Sequence, residues 1–109
     1  VTGACLMTKR SVFDELGGLN EEFVVAFNDV DYCLRVRELD KLVVYTPDAL
    51  LYHHESFSRG SDAVGKNMMR FMGEQGKLRS AWSKYYACGD PYHRPAATMG
   101  YYPEVPLLK

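Results

Sequence analysis

The sequence predicts an α/β fold of a few strands and helices, with one long helix towards the C-terminus. The segment 41–45, rich in β-branched and aromatic residues, predicts a strand, and the mostly apolar segment 49–53 predicts a second strand that is buried on both faces. Apolar residues at helical spacing over 62–85 predict the long helix. Gly73 and Gly76 inside that helix each weaken it by up to about 1 kcal/mol relative to alanine.

The N-terminal elements are predicted from capping and turn residues. Ser11 would cap a short helix, with Asp14 three positions on. Gly17 and Gly18 would end that helix, because glycine adopts the left-handed conformation of a helix C-terminus. The tail after Cys88 is rich in proline and tyrosine and is predicted to be irregular or extended. The other predicted segments, in chain order, are a strand at 2–8, the short helix at 11–16, a loop at 19–27, a second helix at 28–39 and a turn at 46–48.

Size and charge limit the classes of function. With 109 residues and a formal net charge of −1, the chain suits one domain, and the near-neutral charge argues against nucleic acid as a partner. No run of about 18 apolar residues is present, so no transmembrane helix is predicted. The three cysteines are widely spaced, which argues against a disulfide framework or a zinc site. We therefore expect a cytoplasmic protein, free or at the inner face of the membrane.

The helix predicted at 28–39 carries two carboxylates in its first turn. At about 100° per residue, Asp31 and Arg35 share a stripe of the helix, which we expect to face solvent with the two side chains paired. Asp29 lies about 160° away from Asp31, on an apolar side that faces protein or a cleft. An acid held at a cleft can act as a general base, whereas the simpler alternative is a helix cap.

Polar residues at the end of the segment 49–53 form the second candidate site. His53 and His54 stand at the C-terminal end of a predicted strand, where ligand sites collect in open α/β sheets. Either imidazole could bind a divalent metal, and the alternative is one buried and one surface histidine. Ser56 and Arg59 in the next loop could bind phosphate, or they could simply be solvated.

Five short motifs occur in a fixed order along the first sixty residues. They are GACLM at 3–7 with Arg10 after it, FDELGGLNE at 13–21, FNDVDYCLR at 27–35, YTPDA at 45–49 and YHHES at 52–56. Their order and spacing resemble the C-terminal half of the catalytic domain of bacterial family 2 glycosyltransferases. Further on, Trp82 and the segment 90–92 are similar to the tail of polysaccharide-building members of that family.

The resemblance implies a GT-A fold, which is Rossmann-like, and a set of site residues. Asp29 would be the catalytic base that takes a proton from the acceptor hydroxyl. His53, with His54 as the alternative, would bind the divalent metal, Mn²⁺ or Mg²⁺, that bridges the diphosphate of the nucleotide sugar. The substrate-binding positions implied by the resemblance are Asn28, Gly18, Ser56 and Arg59.

The resemblance also implies how the chain is organised. Residues 1–60 would be the acceptor-side half of the catalytic domain, and 61–109 a long helix with a proline- and tyrosine-rich tail packed on it. The family's nucleotide-binding half and its DXD metal motif do not occur here, since Asp-x-Asp appears only at 29–31 inside the helix. We therefore expect a fragment that is inactive alone and binds metal only together with the missing half.

The function implied for the whole enzyme is inverting sugar transfer from a nucleotide-sugar donor to a saccharide acceptor in polysaccharide biosynthesis. The alternative is a non-catalytic glycosyltransferase-like module used for sugar binding or assembly. A half sheet with an open edge also predicts self-association of the chain.

Overall fold

The structure is a computed structural model that describes residues 2–53 and 65–88. The chain divides into two compact units, Val1–Leu78 and Arg79–Lys109. The predicted division into an acceptor-side half at 1–60 and a helix with its tail at 61–109 is a division by function, and it stays a prediction. The described elements are a 3-10 turn at Gly3–Cys5 and four α-helices, α1 at Arg10–Glu15, α2 at Asn28–Glu38, α3 at Gly65–Ala81 and α4 at Ser83–Cys88.

The predicted α/β class is wrong for the described part of the chain. Residues 2–53 and 65–88 contain helices and no strand, so the expected Rossmann-like portion of a GT-A domain is absent there. The segment predicted as a strand at 2–8 contains the 3-10 turn, and 41–53 has no regular structure apart from a turn at Pro47–Asp48.

The physical reason is that β propensity measures how well a side chain suits a pleated, half-buried surface. A strand also needs a neighbour to complete its backbone hydrogen bonds, and no described segment pairs with 2–8 or 41–53. Six large apolar side chains of the segment 41–53 are 65% to 92% exposed, namely Leu42, Val44, Tyr45, Leu50, Leu51 and Tyr52. Self-association through such a surface stays a prediction.

The end of α1 is a glycine turn, as predicted. Gly17 and Gly18 have φ of 71° and 81°, and the Gly18 N–H donates to the Phe13 carbonyl at 2.9 Å. The predicted Ser11 cap does not form, because α1 begins earlier, at Arg10, and Asp14 pairs instead with the Arg10 guanidinium at 2.9 Å.

Replacing Gly18 with alanine should destabilise the chain more than the same change at Gly17. Both sites carry the cost of left-handed backbone, on the order of 1–2 kcal/mol for a residue with a Cβ. A Cβ at Gly18 would also lie 3.3 Å from the Phe13 ring, whereas a Cβ at Gly17 would meet nothing within 4 Å. Urea unfolding of the two variants measures the difference, and equal losses would show that Phe13 yields freely.

α2 carries the core of the first unit and corrects the predicted exposure of Asp31. Tyr32 is 1% exposed and Asp31 only 3%, although the sequence predicts that Asp31 faces solvent. The pairing is as predicted, since Arg35 Nε donates to Asp31 Oδ2 at 2.7 Å. The stripe faces the end of α1, because Arg35 also donates to the Leu16 and Gly18 carbonyls, each at 2.9 Å.

α3 contacts the loop that precedes α2. The rings of Phe27 and Phe71 lie 5.0 Å apart, and the Ala26 N–H donates to Glu74 Oε2 at 2.7 Å. Phe27 has φ of 67°, a left-handed conformation that costs a non-glycine residue on the order of 1–3 kcal/mol. The contacts with α3 therefore offset part of the cost of this backbone conformation.

The long C-terminal helix is shorter than predicted. α3 ends at Ala81 and α4 begins at Ser83, so the helical run breaks at Trp82, and its predicted start at 62 lies outside the described residues. In the second unit the rings of Trp82 and Tyr85 lie 5.8 Å apart. None of the described helices is long and apolar enough to cross a membrane.

Candidate functional site

A cleft of about 530 Å³ lies at the N-terminus of α2 in the first unit. It brings together three residues that the sequence singles out, Asn28, Asp29 and His53, although His53 follows Asp29 by 24 positions. Asp29 is the one acidic residue among those that line it. The remaining lining residues are Thr2, Gly3, Ala4, Leu6, Thr8, Phe13, Leu19, Val25 and Tyr32.

The Asp29 carboxylate is fixed at the wall of this cleft by backbone donors. The Gly3 N–H donates to Asp29 Oδ2 at 2.6 Å, and the Val30 N–H donates to Oδ1 at 2.8 Å. The Asp29 N–H in turn donates to the Asn28 side-chain oxygen at 2.8 Å. A carboxylate has about four lone-pair sites, so two bonds leave room for a further donor from the cleft.

Asp29 is not the N-cap residue of α2, although its side chain accepts one of the amide N–H groups of the first turn. The N-cap residue is Phe27, whose side chain makes no cap hydrogen bond. One Asp29 oxygen is bound by the amide of the adjacent Val30, while the other is bound by Gly3, 26 positions away in the chain. The bond from Gly3 connects the first turn of α2 to the Gly3–Cys5 turn and sets the direction of the carboxylate.

Gly18 lies behind the cleft wall. It is buried, and a Cβ there would press on the Phe13 ring, which lines the cleft. Its carbonyl accepts from Arg35 Nη2, so Gly18 anchors α1 to α2. The structure thus gives Gly18 a role in placing Phe13, and a direct contact with substrate stays a prediction.

The described residues do not form a metal site by themselves. No three histidine, cysteine, aspartate or glutamate side chains come together within residues 2–53 and 65–88 in a way that could hold an ion. His53 is exposed and shares the cleft with Asp29, so these two residues could supply only part of a ligand set. His54, Ser56 and Arg59, the other predicted ligand and phosphate-binding residues, lie outside the described residues.

Two features of the cleft were not predicted from the sequence. One is the Gly3 amide that binds Asp29, and the other is a hydroxyl pair in which Thr8 Oγ1 and Tyr32 Oη lie 2.8 Å apart. The composition of residues 2–8 predicts a strand. A strand pattern does not indicate that the Gly3 N–H would bind a side chain of α2. Tyr32 could have been found, because it lies three positions from Asp29 on the same predicted helix.

The chain is similar in sequence to several known proteins. The O-antigen biosynthesis protein RfbC of Myxococcus xanthus is 36% identical over 106 residues, which is 91% of this chain and 7% of RfbC. The N-acetylglucosaminyl-diphospho-decaprenol L-rhamnosyltransferase of Mycobacterium tuberculosis is 37% identical over 62 residues, 57% of this chain and 20% of that enzyme. The chain is thus similar to glycosyltransferases over a short segment.

A third relative is also similar over most of the chain. The uncharacterized protein y4gI of Sinorhizobium fredii is 47% identical over 96 residues, 87% of this chain. The chain spans 10% of the length of that relative, 7% of RfbC and 20% of the rhamnosyltransferase. No family model and no solved structure matches the chain. RfbC is named for O-antigen biosynthesis and the Mycobacterium tuberculosis protein for rhamnosyl transfer, and these activities are those of the whole proteins.

Proposed function

We propose that this chain is the acceptor-side segment of an inverting family 2 glycosyltransferase. The whole enzyme would move a sugar from a nucleotide-sugar donor to a hydroxyl of a saccharide acceptor in polysaccharide biosynthesis. The observation that supports this most is the fixed Asp29 carboxylate at a cleft, in a chain whose relatives include a rhamnosyltransferase.

The chemistry assigned to the cleft is general base catalysis. Asp29 takes the proton of the acceptor hydroxyl while that oxygen forms a bond to the anomeric carbon of the donor sugar. The bond from the anomeric carbon to the diphosphate breaks, so the nucleoside diphosphate leaves with the electron pair and the configuration inverts. The Gly3 and Val30 amides keep the carboxylate from rotating as it accepts the proton.

The other lining residues suit an acceptor sugar. Phe13 and Leu19 give the cleft an apolar wall on which the C–H face of a sugar ring can pack. The Asn28 oxygen is used by the Asp29 amide, so the Asn28 NH₂ group is the part that can donate to a sugar hydroxyl. Thr2 adds a hydroxyl to those of Thr8 and Tyr32 in the cleft lining.

A divalent metal, Mn²⁺ or Mg²⁺, remains part of this proposal only for the whole enzyme. The described residues lack a complete ligand set, so no step is assigned to the ion here. We propose that His53 contributes one ligand and that the others come from outside residues 2–53 and 65–88.

Replacing His53 with alanine in the full-length enzyme should raise the Mn²⁺ or Mg²⁺ concentration needed for half-maximal transfer by about tenfold or more, because the ion loses a ligand. Metal titrations of transfer activity measure this concentration, and the exposed neighbour Tyr52→Ala serves as the control. A metal requirement unchanged by His53→Ala would contradict the assignment.

The proposed function is tested by a donor screen on the full-length protein. A panel of nucleotide sugars is incubated with saccharide acceptors and Mn²⁺ or Mg²⁺, products are detected by mass spectrometry, and the new linkage is assigned by NMR. We expect transfer with inversion at the anomeric carbon. Retention of configuration would contradict the proposed mechanism.

The second candidate is a non-catalytic sugar-binding module, and one observation favours it. Asp29 is the single carboxylate among the described residues that line the cleft, because its neighbour Asn28 is uncharged. Saccharide binding to the chain without transfer by the full-length protein, across the whole donor panel, would support this module and exclude the transferase.

A further inference from the structure

We propose that Glu74, on α3, is a positioning residue for Asp29, an inference that rests on the proposed function for its catalytic meaning. Glu74 does not line the cleft and lies 45 positions beyond Asp29 in the chain. It acts through the loop that leads into α2. Three observations carry the inference: the burial of Glu74, its bond to that loop, and the left-handed backbone at the start of α2.

Glu74 is a buried carboxylate that binds the loop before α2. It is 4% exposed, and its Oε2 accepts the Ala26 N–H at 2.7 Å across 48 positions of sequence. Its other oxygen, Oε1, lies 4.0 Å from Arg70 Nε one turn earlier on α3. Burying a carboxylate is costly unless its bonds compensate, so the bond to the loop is the feature that accounts for an acid at this place.

The bond acts on a strained segment of backbone. Phe27 follows Ala26, has φ of 67° and ψ of 1°, and packs its ring 5.0 Å from Phe71, one turn before Glu74 on α3. Left-handed backbone at a non-glycine residue persists only where its surroundings fix it. Glu74 binds the amide N–H of the residue before Phe27, and Phe71 packs against the Phe27 ring.

The strained residue sets the start of the helix that bears the base. The Phe27 carbonyl accepts the Asp31 N–H at 2.8 Å, which is the first backbone bond of α2. Asp29 lies within that turn, so rotation of the Phe27 peptide turns the carboxylate away from the Gly3 amide. A chain of contacts thus runs from Glu74 to Ala26, through Phe27, to Asp29.

The experiment compares three substitutions in the full-length enzyme. Glu74→Ala removes the acceptor and should lower kcat by about 100-fold while KM for the donor stays within about twofold, because a misplaced base slows the chemical step. Glu74→Gln keeps an acceptor oxygen and should restore most of kcat. Lys77→Ala is the matched control, since Lys77 contacts the same loop from the exposed side, with Nζ 3.5 Å from the Glu22 carbonyl, and should leave kcat unchanged.

A kcat that stays within threefold in folded Glu74→Ala would overturn the inference, and so would a Gln variant no better than Ala. Where Glu74→Ala does not fold, Phe71→Leu takes its place, because it keeps apolar volume but loses the ring against Phe27. A kcat for Phe71→Leu that stays within threefold of the native value then overturns the inference.

A second readout separates this inference from the proposed function. In the 109-residue chain, the Gly3 amide proton reports its bond to Asp29 by its NMR shift, and the Ala26 amide reports its bond to Glu74 by hydrogen exchange. Glu74→Ala should move the Gly3 shift upfield and speed Ala26 exchange, with no change in Lys77→Ala. If the enzyme transfers no sugar, the proposed function fails, yet these shifts still decide whether Glu74 positions Asp29. An unmoved Gly3 shift overturns the inference.

Discussion

Replacing Asp29 with asparagine should lower sugar transfer by the full-length enzyme about 10²–10⁴-fold, which is what a general base contributes. Asparagine has nearly the shape of aspartate and keeps one oxygen for the Gly3 or Val30 amide, so the fold of the first turn should survive. It cannot accept the proton of an acceptor hydroxyl. Donor binding should therefore be nearly unchanged while turnover is lost.

Steady-state transfer assays give kcat, and calorimetric titration with the nucleotide sugar gives the donor dissociation constant. Asp14→Asn is the matched control, because Asp14 is an exposed carboxylate of the same unit, paired only with Arg10 in the described structure, and does not line the cleft. Near-normal turnover of Asp29→Asn would exclude Asp29 as the base. A loss of the same size in Asp14→Asn would point to a general effect of charge.

Replacing Arg35 with alanine should lower the free energy of unfolding of the chain by about 3–5 kcal/mol. The change leaves Asp31 buried without its guanidinium partner and leaves the Leu16 and Gly18 carbonyls without their donor. A domain of this size is stable by only about 5–15 kcal/mol, so the loss is a large share of the total. Urea unfolding followed by circular dichroism measures it.

The chain contains its own control for this prediction. Arg10 and Asp14 form an ion pair with the same four-residue spacing, but their side chains are 86% and 55% exposed. Arg10→Ala should change the free energy of unfolding by no more than about 1 kcal/mol, as is usual for surface pairs. If Arg35→Ala cost no more than Arg10→Ala, burial would not be what gives the Arg35 pair its strength.

Arg35→Lys separates charge from geometry at the same site. Lysine keeps the positive charge but offers one ammonium group, which cannot reach Asp31 and two carbonyls in the directions that the guanidinium fork does. Its stability should lie between that of the native chain and that of Arg35→Ala.

The end of α1 and the bounds of α2 could be predicted because their signals are local. The glycine pair at 17–18 ends α1, and the spacing of charged and apolar residues gives α2 almost to the residue, Asn28–Glu38 against a predicted 28–39. The strands could not be predicted correctly, because the pattern at 41–53 indicates what a strand would bury and does not reveal whether a neighbour exists. Whether a strand forms depends on distant segments that could pair with it, whereas a helix forms its backbone hydrogen bonds within itself.

The candidate site could be predicted in part. Helical geometry separates Asp29 from Asp31 and gives Asp29 a cleft-facing side, but it cannot tell which stripe faces solvent when a second helix covers one of them. Asp31 is buried because Arg35 reaches across to the end of α1, a contact between segments 17 and 19 positions apart. Glu74 had no local signal at all, since its partner lies 48 positions away.

The span of that last bond has a consequence for how the protein matures. Closing a loop of 48 residues costs about 0.6–1 kcal/mol more in entropy than closing one of 17 to 19, so we expect the α1–α2 contacts to form first and the bond to α3 to close later. During synthesis, α2 leaves the ribosome well before Glu74 does. We therefore expect that Asp29, the proposed base, is formed early within α2 and aligned late, and that a partial opening that releases α3 frees the loop before α2 while the Arg35 contacts stay intact.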